Sequence, residues 1–168
     1  PSNPTGIKLD DSFLYEKMSQ ISKTGAIIIF DCPYRKLFCK DDFFDKISSL
    51  DNLIVAESFS KWLGLSGLRL GFIYSLNKEF NSELNIRLLY EFNAVSSPSQ
   101  MIIDKVISTN KGKVAIQEFQ KETTNHIKRN IEYLNNNNLL VREIYGDSIP
   151  LGIFAVINKS EDFFFNIR

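Results

Sequence analysis

Cysteine and histidine are both scarce in this 168-residue chain. Two cysteines, Cys32 and Cys39, are too few for a disulfide framework, their spacing matches no metal motif, and the single His126 cannot complete a zinc site. No apolar run reaches the roughly 18–20 residues that a membrane span requires, which gives an expectation of no membrane partner. Charge of one sign is not in excess either. Lys and Arg number 20 against 20 Asp and Glu, so no global field points to nucleic acid or to an acidic lipid surface. A basic, apolar and small-residue leader is missing, and the expected location is cytoplasmic. What the chain has in quantity is aromatic: 14 Phe and 6 Tyr predict aromatic-rich packing or an interface. Its length suits one domain able to bury a core.

The two ends predict a piece of a longer protein. The chain opens on Pro1-Ser2-Asn3-Pro4-Thr5-Gly6, already inside a turn-rich motif. It stops in the apolar stretch Asp162 to Arg168, with no cap or partner strand following.

Between them the pattern alternates. Asp11 or Ser12 is placed to cap a helix running to about Ser22, with Phe13, Leu14, Met18 and Ile21 at helical spacing. Ala26 to Phe30 is a continuous apolar run of strand length, suited to burial on both faces. Leu53 to Ala56 predicts a second strand, and Leu70 to Tyr74 a third. Helices are expected at about 78–92, 98–109 and 113–135, the last stopped by four consecutive Asn, 135–138. Strands over 139–145 and 153–157 close the chain. This order predicts an α/β layer architecture with a parallel or mixed sheet. The expected division is a large domain over 1–110, a long interdomain helix over 111–138 and the start of a smaller domain over 139–168.

Ligands of open α/β sheets bind beyond the carboxyl ends of the strands. Asp31 follows the first predicted strand, Ser58, Ser60 and Lys61 follow the second, and Arg69 precedes the third. One small molecule can therefore meet all of them. Read singly, each has an ordinary explanation: a surface lysine, a turn aspartate, serines that cap backbone, a half-buried tyrosine.

Together they carry a resemblance. Ser58-Phe59-Ser60-Lys61-Trp62-Leu63-Gly64-Leu65-Ser66-Gly67-Leu68-Arg69-Leu70-Gly71-Phe72 resembles the pyridoxal-phosphate (PLP) lysine signature of class I/II aminotransferases. Asn3-Pro4-Thr5-Gly6 and Asp31-Cys32-Pro33-Tyr34 resemble that family's Asn-Pro-Thr-Gly and Asp-x-x-Tyr motifs, in the family's order. The Gly-Leu-Ser-Gly-Leu-Arg wording is most similar to the histidinol-phosphate aminotransferase-like branch. The resemblance implies a partial three-layer large domain of a fold type I PLP transferase, leading into a smaller α+β C-terminal domain. It implies the cofactor pyridoxal 5′-phosphate, held by Lys61 as a Schiff base. Asp31 is then expected on the pyridine nitrogen, Tyr34 and Asn3 on the phenolic oxygen, and Arg69, Ser58 and Ser60 on the phosphate. Cys32 and Pro33 stand where the family often has Glu or Ser and Ala, which blurs the subfamily. Cys32 reads as a small core residue, and Trp62 and the Phe-rich segments 38–44 and 163–165 as packing.

The family works as a homodimer on an amino acid donor and a 2-oxo acid acceptor. Its members are about twice as long, and the arginine that grips the substrate carboxylate lies outside this chain; Arg168 does not fit its context. Two alternatives remain open: a PLP-dependent decarboxylase of the same fold, and a non-catalytic PLP-fold module in a multidomain protein.

Overall fold

The computed structural model describes residues 1–39, 42–92 and 94–159. The chain forms two compact units. One comprises Asp10–Lys121, the other Pro1–Leu9 with the described residues from Glu122 onward.

In the larger unit, helix α1 (Asp11–Ser22) is capped one residue before the nearer of the two expected caps, Asp11 and Ser12. Asp10 is the N-cap: its carboxylate accepts from the backbone N–H groups of Ser12 and Phe13, both at 2.9 Å. Asp11 is engaged elsewhere, by Arg35, which is why it does not cap. Three strands follow, β1 (Ile28–Asp31), β2 (Leu53–Ser58) and β3 (Gly71–Ser75), in the spatial order β1-β2-β3. β1 and β2 run parallel, with Asp31 opposite Ala56, and β3 returns antiparallel, with Gly71 opposite Ser58. The sheet is therefore mixed.

Alternation along the strands sorts residues between two faces. Ile28, Leu53 and Val55 join Met18, Cys32, Phe43 and Ile47 in the core. Helices α2 (Arg35–Phe38) and α3 (Asp42–Ile47) are elements that the hydrophobic pattern does not mark, and α3 supplies the core's aromatic cover through Phe43 and Phe44. Phe30 meets Phe43 edge-on at 5.8 Å between ring centroids. The other face is partly open. Ile29 is 70% exposed and Ile73 49%, so β1 is buried on one face, not on both as its unbroken apolar run predicted. On the partly open face the described residues cover Ile54 and Ser75, at 7% and 9% exposure, and leave Ile29 and Ile73 open.

Short helix α4 (Phe59–Trp62) and a 3₁₀ turn at Ser66–Leu68 join β2 to β3. Helices α5 (Lys78–Phe92) and α6 (Ser97–Ser108) match the expected spans to within one residue, and α7 (Asn110–Asn136) begins three residues earlier than expected. Ser96 caps α6 through the Ser99 amide. Phe119, on α7, packs against Gly64, whose φ of +68° and lack of a Cβ both matter: an added Cβ would lie 2.7 Å from the ring.

In the smaller unit, α7 ends in a Schellman turn. Asn138 takes φ +53°, its amide bonds the Asn135 carbonyl, and the Leu139 amide bonds Leu134 at 2.9 Å. The two strands expected after it do not form. Leu140 and Ile157 make an isolated antiparallel bridge, and Arg142–Tyr145 is a turn of helix, α8. The cause is tertiary. The Tyr145 hydroxyl donates to the Thr5 carbonyl and accepts from the Val156 amide, each at 2.7 Å, and this buried anchor turns the backbone away from extended pairing. The opening turn is fixed in the same unit: Gly6, at φ +69°, leaves room for Phe154 and Pro150, and its carbonyl accepts from the Leu151 amide.

Candidate functional site

The parallel pairing of β1 with β2 and the return of β3 bring three chain segments to one edge of the sheet. Asp31 ends β1, Ser58 ends β2, and Arg69 stands two residues before β3 begins. The Phe59 amide donates to the Leu70 carbonyl at 3.2 Å and extends the ladder past the strand ends. That edge is where an open α/β sheet accepts ligands.

Ser58 is the N-cap of α4. Its hydroxyl accepts from the Ser60 amide at 3.1 Å and donates to the Ser60 hydroxyl at 2.9 Å. The two hydroxyls thus sit together at the strand end. One residue on, Lys61 is half-buried, and its Nζ lies 6.0 Å from the centroid of the Tyr34 ring. Tyr34 occupies the turn between β1 and α2, and α2 abuts α4, so lysine and phenol arrive from separate segments. Arg69 takes a left-handed backbone, φ +50°, uncommon for a side chain of its bulk. Its guanidinium is exposed and donates to the Ser66 carbonyl at 3.2 Å. Asp31 is exposed and shares the open face with Ile29 and Ala56 by strand alternation.

Six of the seven residues expected at the site therefore belong to the larger unit and cluster at one sheet edge: Asp31, Tyr34, Ser58, Ser60, Lys61 and Arg69. Asn3 is exposed in the opening turn of the smaller unit, with a cis peptide to Pro4. The segment 163–165 and Arg168 lie outside the described residues, as do Lys40 and Asp41 within the segment 38–44.

Beneath the edge is a set of residues that the motifs alone do not mark. Strand alternation sends Glu57 to the core side, where its carboxylate is 1% exposed and lies 3.6 Å from Lys36 Nζ. That ammonium also stands over two rings, 4.8 Å from the centroid of Trp62 and 5.3 Å from that of Phe72. Arg35, also buried, makes a two-pronged bond with Asp11 at 3.1 and 2.9 Å, and its guanidinium lies 4.1 Å from the Phe43 centroid. A Lys or Arg directly after an aromatic-turn motif and an acid just before a Ser-x-Ser-Lys run were the only sequence signals for these ties. Cys32 is buried, as expected of a core residue. Burial and the nearby Glu57 carboxylate push its thiol up to about 12, and it donates weakly to the Ala56 carbonyl. Trp62 packs against Phe59 at 5.7 Å, also in line with a packing role. A cavity of about 590 Å³ on the core side is lined by Lys36, Phe44, Val55, Glu57, Phe72 and Tyr74, among others. Among the described residues no cluster of His, Cys, Asp and Glu could hold a metal, and no helix is long and apolar enough to cross a membrane.

The donor set has a definite chemistry. It offers one amine beside a phenol, one exposed carboxylate at a strand end, a pair of hydroxyls and one planar cation. Those groups fit an aldehyde-bearing pyridine phosphate: amine to aldehyde, carboxylate to ring nitrogen, hydroxyls and guanidinium to phosphate.

Comparisons with known proteins agree. Histidinol-phosphate aminotransferase of Buchnera aphidicola subsp. Cinara cedri is 28% identical over 155 residues, 92% of this chain and 39% of that protein. The same enzyme of Thermoanaerobacter sp. (strain X514) is 32% identical over 129 residues, 76% of this chain and 34% of its own length. The chain thus spans between 27% and 42% of the length of the curated relatives it matches. The solved aspartate aminotransferase of Thermotoga maritima superposes with a TM-score of 0.71 over 98% of this chain and 42% of that one, at 21% identity. The aromatic-amino-acid aminotransferase of Burkholderia pseudomallei, solved covalently bound to pyridoxal phosphate, gives 0.68 over 82% and 38%, at 19% identity. These likenesses establish the fold, a partial α/β domain of fold type I. A model of the family "Aminotransferase class I and II" matches residues 1–144, and the chain belongs to that family.

Proposed function

We propose that the full-length protein is a PLP-dependent aminotransferase, moving an amino group between an amino acid donor and a 2-oxo acid acceptor, with Lys61 as its catalytic residue. The observation that carries this reading is the convergence at one sheet edge of Lys61 and Tyr34, 6.0 Å from amine to ring, with Asp31, Ser58, Ser60 and Arg69. Family membership and the curated relatives, all of those cited being histidinol-phosphate aminotransferases, support it.

When bound, PLP supplies an electron-withdrawing ring that stabilises negative charge at the substrate's reacting carbon. The chain's own residues do the rest. Lys61 Nζ would hold the cofactor through its aldehyde carbon, and as a free amine it would be placed to carry a proton at the substrate Cα. Asp31 holds the proton on the ring nitrogen. Tyr34 orients the cofactor's phenolic oxygen by donating to it, and Asn3 is proposed as a second donor there. Ser58, Ser60 and Arg69 bind the phosphate, Arg69 with a planar fork of donors. The proposed organisation assigns 1–110 to the large domain, 111–138 to an interdomain helix and 139–168 to the start of the small domain. A homodimer in the cytoplasm, with no nucleic acid or membrane partner, is proposed on the family resemblance and the balanced charge.

The test is a half-reaction. Full-length protein loaded with PLP and given an amino donor should convert the cofactor to its pyridoxamine form and release a keto acid. Release of carbon dioxide without a keto acid would replace the reading with decarboxylation. Failure to take up PLP would leave a non-catalytic module.

A further inference from the structure

We propose that Lys36 is a positioning residue of this site: its ammonium, clasped by Glu57 and seated over Trp62 and Phe72, sets the spacing between Tyr34 and Lys61. The inference rests on the reading of Lys61 as the PLP-holding lysine.

Within the larger unit, one cation links four segments that carry site residues. Lys36 itself is two residues after Tyr34, on α2. Glu57 is the residue before Ser58, at the end of β2. Trp62 is the residue after Lys61, on α4. Phe72 is three residues after Arg69, on β3. Distances of 3.6 Å to the Glu57 carboxylate, 4.8 Å to the Trp62 centroid and 5.3 Å to that of Phe72 make it the shared contact of all four segments. These contacts lie on the core side of the sheet, where Glu57 is 1% and Lys36 25% exposed at the side chain. The Lys36–Glu57 pair is therefore screened less than a surface pair, whereas Phe72, at 36% exposure, forms the solvent-side wall of the seat. A buried carboxylate is tolerated there because it is paired, and the pair gives a unique arrangement rather than mere stability. Apolar packing alone would let α2 slide over α4. An ammonium tied to a carboxylate on β2 and seated between two rings fixes that register, and with it the 6.0 Å from Lys61 Nζ to the Tyr34 ring. The titratable groups that line the same cavity as Lys36 are Glu57 from β2, Asp45 from α3 and Tyr74 from β3, and the thiol of Cys32, on the turn before α2, feels the charges of both Lys36 and Glu57.

The experiment uses full-length protein loaded with PLP. Wild type is checked first by borohydride reduction, which should fix the cofactor on Lys61; a negative result there would reject the functional reading before any Lys36 variant is made. The visible band of bound PLP is then titrated with pH in wild type, Lys36→Met, Glu57→Gln and Lys36→Arg. Phenol donation to the cofactor oxygen favours loss of the neighbouring proton, so a displaced Tyr34 raises the midpoint of the spectral change. Lys36→Met and Glu57→Gln should both raise it by about one pH unit, and Lys36→Arg should keep it near wild type. Charge alone would move the first two in opposite directions, because one removes a cation and the other an anion. Opposite shifts, or unmoved midpoints with only lowered stability and PLP retention, would overturn the proposal. Should Lys36→Met fail to accumulate, the nearly isosteric Glu57→Gln carries the same test.

Discussion

Glu57 and Ser58 are neighbours in sequence and belong to different worlds. Ser58 ends β2 at the open edge, beside Ser60, Lys61 and the ligand-facing segments. Glu57 points the other way, into a core side that it shares with Cys32, Lys36 and the Phe43 cluster. The two-residue period of a strand makes this division unavoidable: one side is available for chemistry, the other for the scaffold that holds it. The difference teaches that ionised groups are present on both sides but do different work. At the edge they are exposed or half-buried, where the proposed cofactor would meet them. In the core they are paired, and they hold segments to one another.

Substitutions should separate the two sides. The largest effect is expected at the edge: Lys61→Ala should lower transamination by roughly 10³-fold or more, with thermal unfolding close to wild type. A Lys61→Ala protein that melts far below wild type would blur the division. Next, Arg69→Ala should weaken PLP affinity about 10–100-fold, the loss of charge-assisted bonds to a phosphate. Equilibrium dialysis against PLP measures it, and unchanged affinity would remove Arg69 from the phosphate site.

On the core side the readout inverts. Arg35→Ala should destabilise the full-length protein by about 2–3 kcal/mol, below the ~3–5 kcal/mol of a fully buried pair because Asp11 is partly exposed. Denaturant titration measures this, and the KM for the amino donor should hardly change. The smallest effect comes from Cys32. Its thiol is held protonated to about pH 12 in the folded protein, against an ordinary value of 9.0. Above pH 9 the unfolded chain loses that proton and the folded one does not, so stability falls as pH rises from 9 toward 12. Cys32→Ala should flatten the decline, as stability measured at pH 8, 9 and 10 would reveal. An equally steep decline in the variant would assign it to other groups.

The same division explains what could be read in the sequence. Strands expected over 26–30, 53–56 and 70–74 overlap those found at 28–31, 53–58 and 71–75, and the long helices were likewise legible, because apolar runs and helical spacing are local signals. The candidate edge was legible because Asp31 closes β1, Lys61 follows β2 and Arg69 stands just before β3. Partners of buried ions were not. Nothing local pairs Lys36 with Glu57 or Arg35 with Asp11, since those contacts span 21 and 24 residues and are made by the fold. Likewise Leu139 to Tyr145 carries a strand-like apolar pattern, yet the distant Thr5 carbonyl and Val156 amide capture the Tyr145 hydroxyl and a helical turn results. Open exposure of Ile29 was equally invisible, because an apolar run states a preference for cover without supplying it.

Peptide mapping after borohydride reduction of the PLP-loaded full-length protein puts the whole scheme at risk in one step. A phosphopyridoxyl group on the peptide containing Lys61, and on no other lysine, is the predicted result. Label at Lys36 or elsewhere, or no covalent label at all, would contradict it.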